Sequence, residues 1–282
     1  MRILVTGATG FVGSHFVNTA LALGWQVVAV RRTSKSTTRV PLVSEPIWIT
    51  KSLCELSSRD CSDVDVLVHL AAHTPNVPYA ALAECIHFNL TVPLQLFEMA
   101  RNAGVQRYVA IGTCFEYGNS GLRYREIPVN APLEPTNAYA ASKACASIAF
   151  TQWAQQFDLS LRILRLFQVY GDGELSSRLW PTIKRHALDG SDLNLTLGEQ
   201  IRDFSNVLTV AEKIANHVLR ICEEPAGNVS AYNIGSGNAM TVRQFSEYWW
   251  KRWKATGQIN YGAIDYRPNE VMRYLPDLSL PC

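Results

Sequence analysis

Arg2-Ile3-Leu4-Val5-Thr6-Gly7-Ala8-Thr9-Gly10-Phe11-Val12-Gly13 begins as a short apolar run and ends on three glycines spaced three apart. The run reads as a strand and the residues from Phe11 onward as the start of a helix. That strand, glycine turn and helix context separates a dinucleotide fingerprint from a chance glycine triplet. Gly7 permits the tight turn, Gly10 lets backbone N–H groups approach a pyrophosphate, and Gly13 lets the helix lie close on the strand. Thr9, Phe11 and Val12 fill the turn between them, and the free N–H groups and positive dipole end of the helix then face the anion.

A second strand, Gln26-Val27-Val28-Ala29-Val30, follows at βαβ spacing. The residue at its end selects between dinucleotides. A chain selective for NAD carries Asp or Glu there to hold the ribose hydroxyls. Here the sequence continues Arg31-Arg32-Thr33-Ser34-Lys35. Two guanidinium groups and two hydroxyls suit a 2′-phosphate, and no carboxylate is present to repel it. Arg31 and Arg32 therefore point to NADP(H); a plain basic surface loop is the alternative.

Tyr139-Ala140-Ala141-Ser142-Lys143 places a phenol and an ammonium one helical turn apart, on one face. A cation about 4 Å away at an effective dielectric near 20 is worth up to ~4 kcal/mol. That would bring a phenol, which titrates near ~10, toward neutrality. Tyr139 is then a proton donor to a carbonyl oxygen. Tyr and Lys at this spacing are also common on exposed helices, and only the upstream glycine turn lends the pair meaning. Thr113 ends an apolar strand, Tyr108-Val109-Ala110-Ile111-Gly112, where its hydroxyl can orient the reacting oxygen or merely cap the strand.

Composition excludes several classes. The chain has 282 residues, 48% hydrophobic and 18% charged, with a formal net charge of +2. This suits a globular enzyme and gives no electrostatic case for nucleic acid. No stretch approaches the ~20 apolar residues needed to span a bilayer, and the N-terminal run is too short for a signal peptide. A cytoplasmic location is expected. Seven scattered cysteines read as reduced thiols, and six histidines show no ligand spacing, so no metal is expected.

Strand and helix patterns alternate through the first two-thirds. Strand 64–68 runs into Leu70-Ala71-Ala72, a helix spans 81–103 to Gly104, a second spans 137–157, and strand 160–166 follows. The expected fold is α/β, a Rossmann doubly wound parallel sheet with a smaller C-terminal substrate-binding lobe. Residues 1–171 are expected to form the dinucleotide-binding part with the catalytic residues. Residues 172–282, with helices near 209–223 and 241–256, are expected mainly to cover the substrate, the boundary being nominal. Trp249, Trp250 and Trp253 read as lobe core. Trp180, in a loop-rich stretch, is a candidate for contact with a base or sugar.

The glycine turn, Leu70-Ala71-Ala72, Thr113 and Tyr139/Lys143 together resemble the extended short-chain dehydrogenase/reductase family. Arg165-Leu166-Phe167-Gln168-Val169-Tyr170-Gly171, Arg202-Asp203-Phe204 and Tyr232-Asn233-Ile234-Gly235-Ser236-Gly237 extend the likeness over roughly residues 1–280. Within the family the chain resembles nucleotide-sugar epimerases, dehydratases and ketoreductases. The resemblance implies a nucleoside-diphosphate sugar clasped between the two parts. Leu70, Ala71 and Ala72 would line the adenosine and nicotinamide ribose, Arg202 would meet the diphosphate or ribose, and Gln168 stands where relatives often carry Asn. For Arg165 and Asp203, a structural ion pair competes with ligand contact. The resemblance also implies a homodimer through helices 81–103 and 137–157.

The family's dehydratases carry Asp-Glu directly after the catalytic Thr. Cys114-Phe115 stands there instead, with Glu116 beyond it, sharing the parity of Cys114 if the segment is extended. Elimination is therefore disfavoured. The arginines favour a dissociable reductant. The expected activity is an NADPH-dependent 4-ketoreductase of deoxysugar biosynthesis, acting on a nucleoside-diphosphate 4-keto-6-deoxyhexose. An epimerase recycling bound NAD(P) is the alternative. A non-catalytic NADP(H)-binding regulator is the alternative from another class, against which the intact Thr113, Tyr139 and Lys143 count.

Overall fold

The computed structural model describes residues 1–267 and 270–279. Its first half runs β1 (Arg2–Thr6), α1 (Phe11–Ala22), β2 (Gln26–Arg31), β3 (Ile47–Thr50), β4 (Val66–His69), α2 (Leu82–Ile86), α3 (Val92–Asn102), β5 (Arg107–Thr113), α4 (Ala138–Gln156) and β6 (Ser160–Leu166). The strands are short and apolar because both faces of the sheet are covered. Ile3 and Val5 of β1 point into one core with Phe16 of α1, whereas Leu4 points into the other with Leu96, Phe97 and Phe150. The period of two thus feeds two hydrophobic layers from a single strand.

The second half continues with β7 (Gln168–Tyr170), α5 (Leu179–Asp189), β8 (Leu193–Leu195), β9 (Ile201–Asn206), α6 (Val207–Glu223), β10 (Val229–Ile234), β11 (Ala239–Thr241), α7 (Val242–Arg252), β12 (Ile259–Tyr261) and β13 (Arg273–Tyr274). Seven strands form the main sheet in the order β10-β6-β5-β4-β1-β2-β3, all parallel. The order reverses between β1 and β4, and a ligand crevice belongs beyond the carboxyl ends of these strands.

Two features of this sheet escape the sequence reading. Edge strand β3 is only four residues long. At the opposite edge, β10 pairs with β6 from Val229↔Leu161 to Ile234↔Leu166, and α6 packs on α1. Both β10 and α6 come from beyond residue 171, so the division of the chain at that point follows the architecture only part of the way.

Helix 81–103 is interrupted by a π turn at His87–Thr91. Pro93 lies in the first turn of the helix that follows, and its missing N–H removes a rung of the helical ladder there. The turn carries the buried Asn89. Asn89 Oδ1 accepts from His73 N at 2.7 Å, and its Nδ2 donates to Ser142 Oγ at 3.0 Å. One side chain thereby ties the loop after β4 to α4.

The lobe is built on β9, which pairs with β7, β11 and β13. Its core is aromatic: Trp180, Phe204 and Phe245 are buried, with Trp249, Trp250 and Trp253 against them. Trp180 lies in α5, 7% exposed, its ring 5.6 Å from those of Trp249 and Trp253. The substrate contact expected of Trp180 is corrected accordingly. The segment is helical, with its apolar face inward, and the indole holds the lobe together.

Candidate functional site

A cleft of about 970 Å³ opens beyond the carboxyl ends of β1, β2, β4 and β5. Gly7, Thr9, Gly10, Phe11, Val12 and Gly13 form one wall. Gly7 has φ +73°, and a Cβ there would lie 2.5 Å from Ala71 N. A Cβ on Gly13 would lie 2.0 Å from Gly7 O. These two positions accept no side chain, which fixes the turn against β4 and α1. Gly10 caps α1 without a side chain, and the first turn holds no acid. The N–H groups of that turn therefore face the cleft, and the cradle fits a dinucleotide pyrophosphate. Leu70, Ala71 and Ala72, packed against the turn, line the cleft beside it.

At the end of β2, Arg31 and Arg32 line the cleft together with Arg39 and Lys51. Arg31 Nε donates to Thr50 Oγ1 at 3.1 Å, and its guanidinium lies 4.8 Å from the Trp48 ring. Arg39 and Lys51 have no motif to announce them; folding alone brings the loop and β3 alongside β2.

Tyr139 and Lys143 lie in the first turns of α4, which Asn137 caps by accepting from Ala140 N at 2.9 Å. Tyr139 is buried and lines the cleft with Thr113. Lys143, 4% exposed, points its Nζ at the main-chain carbonyl of Ile111, 2.6 Å away. The phenol is not drawn down as the spacing suggested. Burial raises it, Glu116, Cys114 and Tyr79 raise it further, and Arg178 opposes them. Burial also lowers the Lys143 ammonium, which Glu116 partly offsets. The lysine is occupied by a carbonyl, and the low-dielectric surroundings outweigh it.

Glu116 does not look into the cleft. The segment after Thr113 is a tight 3₁₀ turn, not an extended strand. The turn directs a fully buried carboxylate inward. Its Oε1 accepts from Thr113 N at 2.8 Å; its Oε2 accepts from Ser147 Oγ at 2.7 Å and Arg165 Nε at 2.9 Å. Arg165 also donates to Tyr117 Oη and Val129 O. Glu116 and Arg165 are thus a buried structural pair that holds Thr113 and α4 in register. Asp203 is likewise structural, and its partner is not Arg165. It accepts from Ser236 N at 2.6 Å and Gly237 N at 2.7 Å.

Cys114, Phe115 and Gln168 line the cleft on the lobe side. Burial pushes the Cys114 thiol up to about 12, far from acid–base use near neutrality. Arg202 departs from its expected position: its Nη2 donates to Glu270 Oε1 at 3.0 Å and to Val271 O, outside the cleft lining. The C-terminal segment occupies the guanidinium. Arg178 stands nearer the cleft, one turn after Glu174, and both line it. Neither residue has a motif around it, since the connection from β7 to α5 is irregular. His73 Nε2, also at the cleft, is 2.9 Å from Glu84 Oε1. His69 pairs with Thr6 Oγ1 at 2.7 Å, and its imidazole is pushed down to about 3 by burial and then Lys143. Among the described residues no three His, Cys, Asp or Glu side chains are grouped to hold a metal, and no helix is long and apolar enough to cross a membrane.

Known proteins are similar to this chain over most of its length. The chain is 28% identical over 274 residues to the UDP-glucose 4-epimerase of Corynebacterium glutamicum, covering 88% of this chain and 79% of that protein. It is 23% identical over 276 residues to the CDP-abequose synthase of Salmonella muenchen, covering 96% and 87%. Among solved structures, TunA, an NAD-dependent NDP-hexosamine 5,6-dehydratase of tunicamycin biosynthesis, superposes with a TM-score of 0.83 at 28% identity. That match covers 98% of this chain and 89% of TunA. The family model for NAD-dependent epimerases and dehydratases matches residues 3–235. With the glycine cradle and the Thr113, Tyr139 and Lys143 group in place, the chain belongs to the NAD-dependent epimerase/dehydratase family, enzymes of the extended short-chain dehydrogenase/reductase type.

Proposed function

We propose that this protein is an NADPH-dependent 4-ketoreductase that reduces a nucleoside-diphosphate 4-keto-6-deoxyhexose. The observation that carries the reading is the cation-rich end of the cleft. Arg31, Arg32, Arg39 and Lys51 line it where the adenosine ribose would lie, and the lining acids, Glu84 and Glu174, belong to other segments. Lys51 is held by Asp60 at 2.8 Å, which leaves the three arginines, with no carboxylate among the lining residues of their own segment, to suit a 2′-phosphate. The glycine cradle would hold the pyrophosphate, and Leu70, Ala71 and Ala72 the ribose side.

The nicotinamide, when bound, supplies hydride to C4. Thr113 hydrogen-bonds the C4 oxygen and orients it toward Tyr139, whose phenol gives up its proton as the alcohol forms. The phenol is held protonated by burial, the form in which a reductive cycle begins. Lys143, anchored on Ile111 O, holds a positive charge beside the reacting group. Elimination lacks its acid, because Cys114 and Phe115 occupy the positions after Thr113 and Glu116 is locked in its ion pair.

A second reading is an epimerase that keeps its cofactor. It is favoured by the likeness to a UDP-glucose 4-epimerase and by a bridge across the cleft. Gly173 lies against Arg39 and Val40, close enough that a Cβ would meet them at 3.0–3.2 Å, and such a bridge would slow cofactor exchange. NADPH absorbance at 340 nm, followed with enzymatically generated TDP-, CDP- and GDP-4-keto-6-deoxyhexoses and with NADH in parallel, decides between them. Consumption of NADPH supports the reductase. Interconversion of a nucleotide sugar without consumption supports the epimerase.

We propose further a homodimer through the outer face of α2 and α4, where Leu82 and Ile148 are exposed beside the small residues of α4. Ile148→Arg should then halve the mass seen by light scattering, and an unchanged mass would rule this face out.

A further inference from the structure

The loop between β7 and α5 carries a carboxylate that neither the cofactor cradle nor the Tyr139 group uses. Glu174 lines the cleft, yet its side chain is only 5% exposed. Its Oε1 accepts one long hydrogen bond, 3.3 Å, from Arg178 Nε. Its Oε2 is buried without any partner. Buried acceptors in native proteins are almost always satisfied, and an orphan lining a cleft marks a place where something else supplies the donor. Burial, outweighing Arg178 and the Gly171 backbone N–H, pushes the carboxyl up to about 7, as expected of a carboxyl largely withdrawn from water.

The position narrows the donor. The Arg178 guanidinium is close enough to draw down the phenol of Tyr139 and the thiol of Cys114. Glu174, bonded to that guanidinium, is thus drawn toward the reacting end of the cleft, while its neighbour Gly173 packs on Arg39. A carboxylate repels phosphate oxygens, so the cofactor pyrophosphate and the sugar-linked diphosphate are the wrong partners. A neutral hydroxyl is the right one, and a hexose presents several. Arg178, one-third exposed, is the group left to face the diphosphate.

We propose that Glu174 is a specificity-determining residue whose Oε2 accepts a hydrogen bond from a hydroxyl of the sugar. The proposal rests on the reading of the cleft as a nucleotide-sugar site. It means that a nucleotide sugar gains from Glu174 an interaction that its parent nucleoside diphosphate lacks. Sites built to bond a substrate hydroxyl discriminate strongly against ligands without one.

Calorimetric titration of the full chain, saturated with NADP⁺, tests this with UDP-glucose, dTDP-glucose, CDP-glucose and GDP-mannose, each beside its own nucleoside diphosphate. In the wild type at least one sugar should bind tenfold or more tighter than its diphosphate. Glu174→Ala should abolish that excess while the affinities for the diphosphate and for NADP⁺ stay within twofold. Glu174→Gln keeps an acceptor oxygen and should retain part of it. An excess that survives in Glu174→Ala overturns the proposal, as do equal losses for sugar and diphosphate, or a loss confined to NADP⁺. Wild-type sugars that bind no tighter than diphosphates overturn it too. If the wild type binds neither class, the nucleotide-sugar reading itself fails and takes this one with it.

Discussion

Lys143 Nζ donates to the main-chain carbonyl of Ile111 at 2.6 Å, one residue before the Gly112-Thr113 end of β5. The ammonium is thus fastened to the strand that presents Thr113, and α4 is fastened with it. The Thr113, Tyr139 and Lys143 group is held by a backbone contact as much as by helical spacing.

If Tyr139 donates the proton, Tyr139→Phe should lose roughly 10²–10⁴-fold in turnover while keeping its affinity for the dinucleotide. The ring is retained and stays against Tyr79, whose own ring lies 6.1 Å away at 11°. Steady-state rates beside a fluorescence titration with NADPH separate the two effects. Near-normal turnover would remove Tyr139 from the mechanism.

The cation cluster predicts cofactor choice. Arg31→Asp combined with Arg32→Ser should weaken NADPH far more than NADH, because it removes two donors to a 2′-phosphate and adds a repelling charge. Dissociation constants for both reduced cofactors check this. Equal losses would mean that Arg31 and Arg32 serve only the surface around Trp48 and Thr50.

Glu116 should matter for stability before chemistry. Glu116→Gln leaves Arg165 buried without its counter-ion, and breaking such a pair costs about 3–5 kcal/mol. Chemical denaturation should show that loss, and Glu116→Gln with Arg165→Met should recover part of it. A Glu116→Gln protein of full stability and no activity would instead place the carboxylate in the reaction.

Glu174 predicts a pH dependence with a definite sign. Its folded carboxyl titrates at about 7 against a reference of 4.5, so the folded state holds a proton the unfolded state has released. Stability is therefore greatest below pH 4.5 and is lost as pH rises to 7, by at most about 3 kcal/mol. Glu174→Gln should raise Tm relative to wild type at pH 8 and converge with it near pH 4.5. A difference that grows on acidification would contradict the burial of this carboxyl.

The sheet and its glycine turn were legible because the physics is local. The continuous apolar run Ile3-Leu4-Val5 and the fixed spacing of Gly7, Gly10 and Gly13 need no distant partner to be read. The same holds for Trp249, Trp250 and Trp253 as lobe core. Residues that depend on a distant partner were misjudged. Glu116 looked available from its parity, but the chain turns after Thr113 to serve Arg165, 49 residues on. Arg202 looked free for a diphosphate, yet Glu270, 68 residues away, takes it. Trp180 looked like loop because Gly171–Arg178 precedes it irregularly, whereas its own segment is the amphipathic α5. Glu174 and Arg178 carried no signal at all, since nothing near them in the chain shows that they line the cleft.

The strand order has a practical consequence for anyone cutting this protein. The polypeptide leaves the main sheet after β6, comes back through α6 and β10, and leaves again at β11. A fragment ending at residue 171 would strip β10 from β6, and exposed strand edges of that kind recruit other chains. The remainder would be no better off, because its two pieces are joined through a helix and a strand whose partners had been discarded. The two halves of the cleft are therefore stitched by three passages of the main chain. Any opening or closing of the lobe must bend all three in concert, which makes the crevice a stiff jaw with its hinge distributed along the edge of the sheet.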